Sequence, residues 1–368
     1  MKKPSICISP IDWGLGHATR CITLIQALQT LGYEVYIATE GYHETILKEA
    51  IPNAHFLKLR GYRIRYAQWG YTLPILLLFQ LPQIIYSILY EYRWLKKAEA
   101  QYQFDIIISD NRFGFYHPAV PSVFITHQLN LQMHFAWATH LFQKIQYAWL
   151  KKFTACWIPD MAGSNNLSGV LSNPKLKPSI PLWYMGCLSR LIHTPSLIAD
   201  LNNAKPTVFL GIVSGPEPQR TLFENLLWKA GNKLTIPFVV IAGRPSKDEP
   251  NKIIEENISA TLYAHLAAPE LVKEIKRAEF IICRGGYTTL MELIPFGKKL
   301  IFIPTPGQTE QLYLGKLWQE KKWALCYAQE YFNLSVALKE ASTFNFQAPP
   351  FIDFSTEDLK TALKQLTL

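Results

Sequence analysis

Short apolar runs alternate with amphipathic stretches from the start of the chain. Ser5 to Ser9 reads as a strand, a glycine-bearing loop follows, His17 to Leu31 reads as a helix stopped by Gly32, and Glu34 to Thr39 is the next strand. Strand, helix, strand in that order predicts a parallel sheet covered by helices. The pattern continues with Asp105 to Ser109, which runs into Asp110 and Asn111, and Ser122 to Thr126, which runs into His127 and Gln128. Polar residues just past the carboxyl ends of such strands are where open α/β sheets bind ligands.

The Pro-containing stretch from Gly186 to Pro206 breaks the pattern, which then restarts with a strand over Thr207 to Ile212 and the loop Val213-Ser214-Gly215-Pro216. Later strands end at Ala242-Gly243-Arg244 and Cys283-Arg284-Gly285-Gly286. This predicts two α/β domains facing each other across a cleft: residues 1–186, a linker 187–205, residues 206–345, and a C-terminal segment 346–368. In that segment Ser355 caps a short helix to Leu366, with Asp358 three residues on. A chain of 368 residues suits two domains, since single cores stop growing at roughly 250 to 300 residues. With 49% hydrophobic and 18% charged residues it can fill two cores, unlike a disordered chain.

Six scattered cysteines form no C-x-x-C pair, which argues against a zinc site or a disulfide framework and for a reducing cytoplasm. The apolar run before Asp12 is too short for a signal-peptide core, so the expected location is cytoplasmic. The net charge of +9 is uneven: residues 1–186 hold 17 Lys and Arg against 10 Asp and Glu. The first half therefore meets something anionic. Without a base-reading motif, nucleic acid gives way to anionic lipid or a phosphate-bearing acceptor. Tyr66 to Tyr90 carries no charge, but Pro74, Gln80, Pro82 and Gln83 interrupt it, so interfacial docking or core burial fits better than a membrane span. Arg60, Arg63 and Arg65 flank it on one side and Arg93, Lys96 and Lys97 on the other, predicting a peripheral site on an anionic membrane face.

The strongest local feature is the strand-to-helix junction Cys283-Arg284-Gly285-Gly286-Tyr287-Thr288-Thr289-Leu290-Met291-Glu292. Glycines at a helix start let backbone N–H groups approach a diphosphate, and Glu292 can accept from two sugar hydroxyls. The plainer reading makes it a tight turn with Thr289 and Glu292 as a capping box. The next strand end, Pro304 to Gln311, is also polar, with Gln308, Glu310 and Gln311 converging on the same crevice. At the N-terminus, Asp12-Trp13-Gly14-Leu15-Gly16-His17-Ala18-Thr19-Arg20 fails both the dinucleotide fingerprint and the P-loop. It places His17 at a helix mouth, where an imidazole serves as general base or merely caps the helix. His127 is the rival base, and Asp12 and Asp110 can orient the base or replace it. No Asp-x-Asp triplet offers a diphosphate-bound metal its ligands, so the leaving charge falls to backbone N–H groups and to Arg244 or Arg284.

Arg284-Gly285-Gly286 through Glu292, followed by Pro304 to Gln311, resembles the donor-binding segment of the peptidoglycan N-acetylglucosaminyltransferase family that makes lipid II. Gly14-Leu15-Gly16-His17 resembles that family's Gly-Gly-His loop. The opening Asp12 to Arg20, with Ser109-Asp110-Asn111-Arg112 and Ile125-Thr126-His127-Gln128, looks closer still to an uncharacterised bacterial branch of glycosyltransferases. The resemblance implies a GT-B fold of two Rossmann-like domains and an inverting, metal-independent transfer with no cofactor. Its donor is a UDP-sugar, with UDP-N-acetylglucosamine a candidate, while the apolar stretch Tyr66 to Tyr90 with its flanking cations is what points to a lipid-linked or cell-envelope acceptor. The resemblance further implies that Glu292 binds ribose, that Gln311 contacts the donor sugar, and that Ser214 and Gly215 lie along the diphosphate. His17 then faces the reaction centre, with Gly14, Gly16, Arg20, Asn111, Arg112, His127 and Gln128 on the acceptor side. A last helix crosses back to the first domain. Leu312 replaces a glutamine of the lipid II motif and Leu15 separates the glycines beside Trp13, so sugar and acceptor are not carried over.

Two readings compete. A sugar-nucleotide epimerase uses the same fold but has no need of an apolar docking surface. A non-catalytic nucleotide-sugar-binding module keeps Glu292 but needs no base at His17.

Overall fold

The computed structural model describes residues 3–64, 76, 79–133, 136–194, 206–245, 249 and 251–366. The chain divides into two compact units, residues 1–64, 77–189 and 350–368 in the first and residues 65–76 and 190–349 in the second. The first unit runs β1 (Ser5–Pro10), α1 (Gly16–Thr30), β2 (Glu34–Thr39), α2 (Gly41–Ala50), β3 (His55–Lys58), α3 (Leu81–Tyr102), β4 (Ile106–Asp110), β5 (Ser122–Ile125), α4 (Ala136–Leu150), β6 (Ala155–Ile158) and β7 (Leu182–Tyr184). Its strands hydrogen-bond in the order β3-β2-β1-β4-β5-β6-β7, and the pairs are parallel.

This order reverses direction between β1 and β4, where a doubly wound sheet leaves a crevice for a ligand. Register sets Pro10 opposite Asp110 at the carboxyl ends of these two strands. Both strands are buried along their whole length, as two-sided packing in a parallel sheet demands. Helix α1 covers β1 with Ala18, Cys21, Ile22, Ile25 and Leu28, in a core that also holds Leu359, Ala362 and Leu363 of the last helix.

The second unit runs β8 (Thr207–Ile212), α5 (Gln219–Leu234), β9 (Phe238–Ile241), β10 (Ile253–Glu256), β11 (Ala260–Tyr263), α6 (Ala268–Arg277), β12 (Ala278–Cys283), α7 (Tyr287–Leu293), β13 (Lys299–Phe302), α8 (Thr309–Glu320), β14 (Ala324–Cys326) and α9 (Leu334–Thr343). Its strand order is β10-β11-β9-β8-β12-β13-β14, with β10 antiparallel at the edge and the other pairs parallel. The reversal falls between β8 and β12, which end side by side at Ile212 and Cys283. Phe209 and Phe238 stack at 4.9 Å inside this unit's core.

The final helix, α10 (Thr356–Leu366), belongs to the first unit. Backbone bonds from Cys187 to Ile352 at 2.8 Å and from Phe354 to Cys187 at 3.3 Å lead the chain into it. Ser355 Oγ accepts from the Asp358 N–H at 3.2 Å, the cap that this spacing predicts. Burying Leu359 and Leu363 contributes about 1.5 to 3 kcal/mol each.

Of the charge-free stretch Tyr66 to Tyr90, residues 66–75, 77 and 78 lie outside the described residues, as do Arg65 and residues 195–205 of the linker. Residues 81–90 begin α3, which buries Ile88, Glu91, Leu95 and Ala98 and exposes Ile85, Tyr86 and Leu89. Among the described residues no helix is long and apolar enough to cross a membrane.

Candidate functional site

The switch point of the first unit gathers a histidine, a carboxylate and a guanidinium. β1 ends at Pro10, and the loop Ile11–Leu15 returns the chain into α1. Gly14 turns that loop at φ +81°, a conformation that side chains with a Cβ resist. Its carbonyl accepts from His43 Nε2 at 3.0 Å, so α2 holds the loop that presents His17. His17 Nδ1 lies 3.0 Å from Asp110 Oδ1, and Arg20, one helical turn on, donates through Nε to Asp110 Oδ2 at 2.8 Å and through Nη2 to Oδ1. Asp110 and Arg20 are buried, whereas His17 keeps 13% of its side chain exposed. The member of the cluster that reaches solvent is therefore the imidazole.

Electrostatics follow from that burial. For Asp110, desolvation favours the neutral acid, but the charge of Arg20 and the hydrogen bonds from His17 and Arg20 outweigh it and hold the carboxyl well below the usual range. For His17, burial and then the Arg20 charge lower the pKa against the upward pull of Asp110. His43 is pushed down to about 4, chiefly by burial. The result is a neutral imidazole oriented by an ionised carboxylate, the arrangement a general base needs.

Several residues expected from the sequence act differently. Asp12 is engaged by the backbone: its Oδ1 accepts from the Tyr62 N–H at 2.8 Å and its Oδ2 from the Arg63 N–H at 2.9 Å. It clamps the loop after β3, and Gly61 is required there because a Cβ would fall 2.2 Å from Asp12 Oδ2. Arg112 does not face an acceptor. It is buried, donates to Glu91 Oε2 at 2.8 Å and to the carbonyls of Pro10 and Arg60, and closes a network in which Tyr62 also donates to Glu91. Arg20 moves from the acceptor side into the His17–Asp110 cluster. His127 is buried behind that cluster, with Arg20 Nη1 3.3 Å from its Nδ1 and Gln128 Nε2 3.3 Å from its Nε2. Asn111 follows Asp110 in the left-handed region at φ +63°, with a half-buried side chain at the same strand end. Gly16 stays in the first turn of α1, its carbonyl accepting from Thr19 Oγ1 at 3.1 Å.

In the second unit the loops after β8, β12 and β13 leave from neighbouring strand ends. These loops and the first turns of the helices they enter carry Ser214 and Gly215, then Gly285, Gly286 and Thr288, then Gln308, Glu310 and Gln311. Gly215 has φ +101°. Gln311 is buried, and its Oε1 accepts from the Thr305 N–H at 2.8 Å, which leaves Nε2 as the donor end of the amide. A Cβ on Gly286 would lie 3.8 Å from that nitrogen, so the loops after β12 and β13 meet there. Helix α7 begins at Tyr287 with Gly286 as its N-cap, which places Thr289 inside the first turn and removes the capping-box reading. Glu292 Oε1 instead accepts from Arg190 Nε at 2.9 Å. Nothing in the linker sequence singled Arg190 out; a lone arginine in a Pro-containing stretch was the available signal.

Arg284 is corrected from phosphate ligand to strut. It is fully buried, lies over the Phe223 ring at 4.1 Å, and donates to the carbonyls of Ile303, Pro304 and Gln219. Burial lowers its pKa to about 9, so it is still cationic at neutral pH. Arg244 is partly exposed and paired with Glu224 of α5. Among the described residues no group of three His, Cys, Asp or Glu is placed to hold a metal ion.

Comparisons with known proteins find glycosyltransferases. Residues 221–349 match the glycosyltransferase family 28 C-terminal domain. An uncharacterised glycosyltransferase of Methanosarcina mazei is 23% identical over 317 residues, covering 81% of this chain and 79% of its own. One from Methanosarcina acetivorans is 25% identical over 322 residues with the same coverage. Among solved structures, the glycosyltransferase of kitacinnamycin superposes with a TM-score of 0.63 at 15% identity, covering 100% of this chain and 96% of that one. Phytolacca americana UGT2, complexed with UDP-2-fluoroglucose and pterostilbene, gives 0.58 at 14% identity, covering 99% and 94%. Acinetobacter baumannii MurG gives 0.51 at 13% identity, covering 99% and 100%. At these identities the structures establish the fold, two Rossmann-like domains of the GT-B type.

Proposed function

We propose that this glycosyltransferase moves a sugar from a UDP-sugar to a hydroxyl of a lipid-linked acceptor, with inversion and with His17 as the general base. The observation that carries the reading is the His17–Asp110 pair at the switch point of the first sheet, 3.0 Å apart, with only the imidazole open to solvent. His17 Nε2 takes the proton of the acceptor hydroxyl as its oxygen attacks the anomeric carbon, and the bond to the diphosphate breaks on the opposite face. UDP leaves with the bonding electron pair. Asp110 holds the ring and stabilises the imidazolium that forms.

The donor reading rests on the second unit. Backbone N–H groups at the loops after β8 and β12, together with the Gln311 amide nitrogen beside Gly286, suit a diphosphate and its sugar. The UGT2 structure shows that a protein of this fold binds a UDP-sugar analogue. Glu292 supplies a carboxylate for the ribose, sharing its charge with Arg190.

The acceptor reading rests on two helices. Ile85 and Leu89 on α3 and Trp137, Leu141 and Ile145 on α4 lie four residues apart on exposed faces, joined by Tyr86, Phe142 and nearby Phe79. The helices meet through Ile84, Ile88 and Trp149 in one small cluster with Ile11, the residue that follows β1. Exposed apolar residues in this number suit a bilayer surface or an acyl chain. Lys96, Lys97, Arg93 and Lys144 border them, whereas Arg63 is taken by Glu40.

The deciding experiment incubates the purified protein with radiolabelled UDP-sugars and a bacterial or archaeal lipid extract, with and without EDTA, and separates the products. A labelled lipid formed in EDTA is the expected result. An epimerised sugar-nucleotide with no labelled lipid, or labelled lipid only after Mg²⁺ or Mn²⁺ is restored, would overturn the reading or its metal independence respectively.

A further inference from the structure

Arg20 is buried at the point where two histidines compete to be the base. Its Nη2 lies 3.0 Å from His17 Nδ1 and its Nη1 lies 3.3 Å from His127 Nδ1, while the same guanidinium grips both oxygens of Asp110. A guanidinium only donates and an ionised carboxylate only accepts. His127 Nδ1 must therefore accept, which puts the ring proton on Nε2, 3.3 Å from the Gln128 side-chain amide. The Gln128 oxygen takes that proton once the amide is turned to suit. His17 Nδ1 stands between Asp110, which can only accept, and an Arg20 nitrogen already donating to that carboxylate. The charged acceptor takes the Nδ1 proton and leaves the lone pair on Nε2.

We propose that Arg20 is a positioning residue that sets the proton pattern of both histidines, making His17 basic at Nε2 and leaving His127 without a free basic nitrogen. The proposal rests on the reading of His17 as the base and explains why His127 is not. It also gives Asp110 a counter-charge. Without Arg20, Asp110 would be an uncompensated anion beside His17 and would hold a proton on it. With Arg20, the carboxylate orients the ring without keeping it cationic. The other groups that bear on His17 are His127 from the loop after β5 and His43 from α2, the latter itself facing Asp12 and Arg112. Cys21 lies 3.4 Å from Asp110 Oδ2 and is a buried neutral thiol.

Histidine-ring ¹⁵N–¹H NMR on the full chain, without substrate, tests this. Signals are assigned with His17→Gln and His127→Gln. The wild-type protein should show His17 protonated on Nδ1 and His127 on Nε2 at pH 7. Arg20→Gln should move the His17 titration to higher pH and let His127 populate both tautomers. Arg20→Gln with Asp110→Asn, which removes both buried charges, should return the titration toward wild type and serves if the single variant does not fold. A His17 titration that is unmoved in Arg20→Gln, or that stays displaced in the double variant, overturns the proposal, as does a wild-type His127 protonated on Nδ1. If the NMR pattern holds while His17→Ala keeps its turnover, only the assignment of the base is lost.

Discussion

Arg190 donates through Nε to Glu292 Oε1 at 2.9 Å, which ties helix α7 to the start of the 190–349 segment of the second unit by a charge-assisted hydrogen bond. The contact uses one carboxylate oxygen and leaves the other for a ligand. Glu292→Ala should weaken UDP binding by about one to two powers of ten, the worth of roughly 1.5 to 3 kcal/mol for a hydrogen bond to a charged group. Arg190→Ala is the control. If calorimetry shows equal UDP affinity in Glu292→Ala and wild type while both variants melt lower, the pair is structural only.

His17→Ala should lower kcat by about 10² to 10⁴ and leave UDP affinity unchanged, since a positioned base acts on the acceptor proton and not on the donor. Asp110→Asn should lower kcat as well and also destabilise the fold, because it leaves Arg20 buried without its anion. Initial rates with the lipid acceptor, alongside UDP calorimetry, separate the two effects. A His17→Ala rate within threefold of wild type would move the base elsewhere.

Arg284→Met keeps much of the volume but removes the donors to three buried carbonyls. It should cost at least about 2 kcal/mol of stability, the usual penalty for stranding buried acceptors. Its UDP affinity, measured below the melting transition, should stay within threefold. A large affinity loss without a change in the urea midpoint would restore the phosphate-ligand reading.

Stability should fall on mild acidification. His43 is neutral in the fold with a pKa near 4 against an ordinary 6.5, and burial drives His17 in the same direction and His265 to about 4. Between pH 6.5 and 4 the unfolded chain binds protons that the folded chain refuses, so stability is full above this window and declines through it as pH falls. His43 alone should contribute on the order of 2 to 3 kcal/mol. Urea midpoints from pH 7.5 to 4.5 check this, and His43→Gln, which retains a donor for the Gly14 carbonyl, should flatten the slope. An unchanged slope in that variant refutes the assignment.

Flotation with liposomes tests the docking surface. Binding should rise with anionic lipid content, fall in high salt, and be lost when Leu89 and Leu141 are both changed to Asp. Changing Arg93, Lys96 and Lys97 to Glu should weaken it, each basic residue near an anionic leaflet being worth about 1 kcal/mol. Protein that stays out of the lipid fraction at every composition leaves a water-soluble acceptor.

Much of this protein was legible in its sequence because parallel sheets are buried on both faces and their strands read as unbroken apolar runs. Glu34 to Thr39 and Thr207 to Ile212 are strands to the residue, and the glycines and polar groups after β1, β4, β8 and β12 mark both crevices. What the sequence could not determine was the partner of each charge. Asp12, Arg112 and Arg284 looked like site residues because they sit in motif loops. Tertiary structure spent them on the Tyr62 and Arg63 amides, on Glu91, and on the carbonyls after β13. Arg20 and Asp110, 90 positions apart, become a buried ion pair only because β4 lies next to β1. Residue type and local pattern determine strands, turns and helix starts because those depend on near neighbours. Ion pairs depend on which strands become adjacent, and in a doubly wound sheet that adjacency comes from the topology of the whole unit.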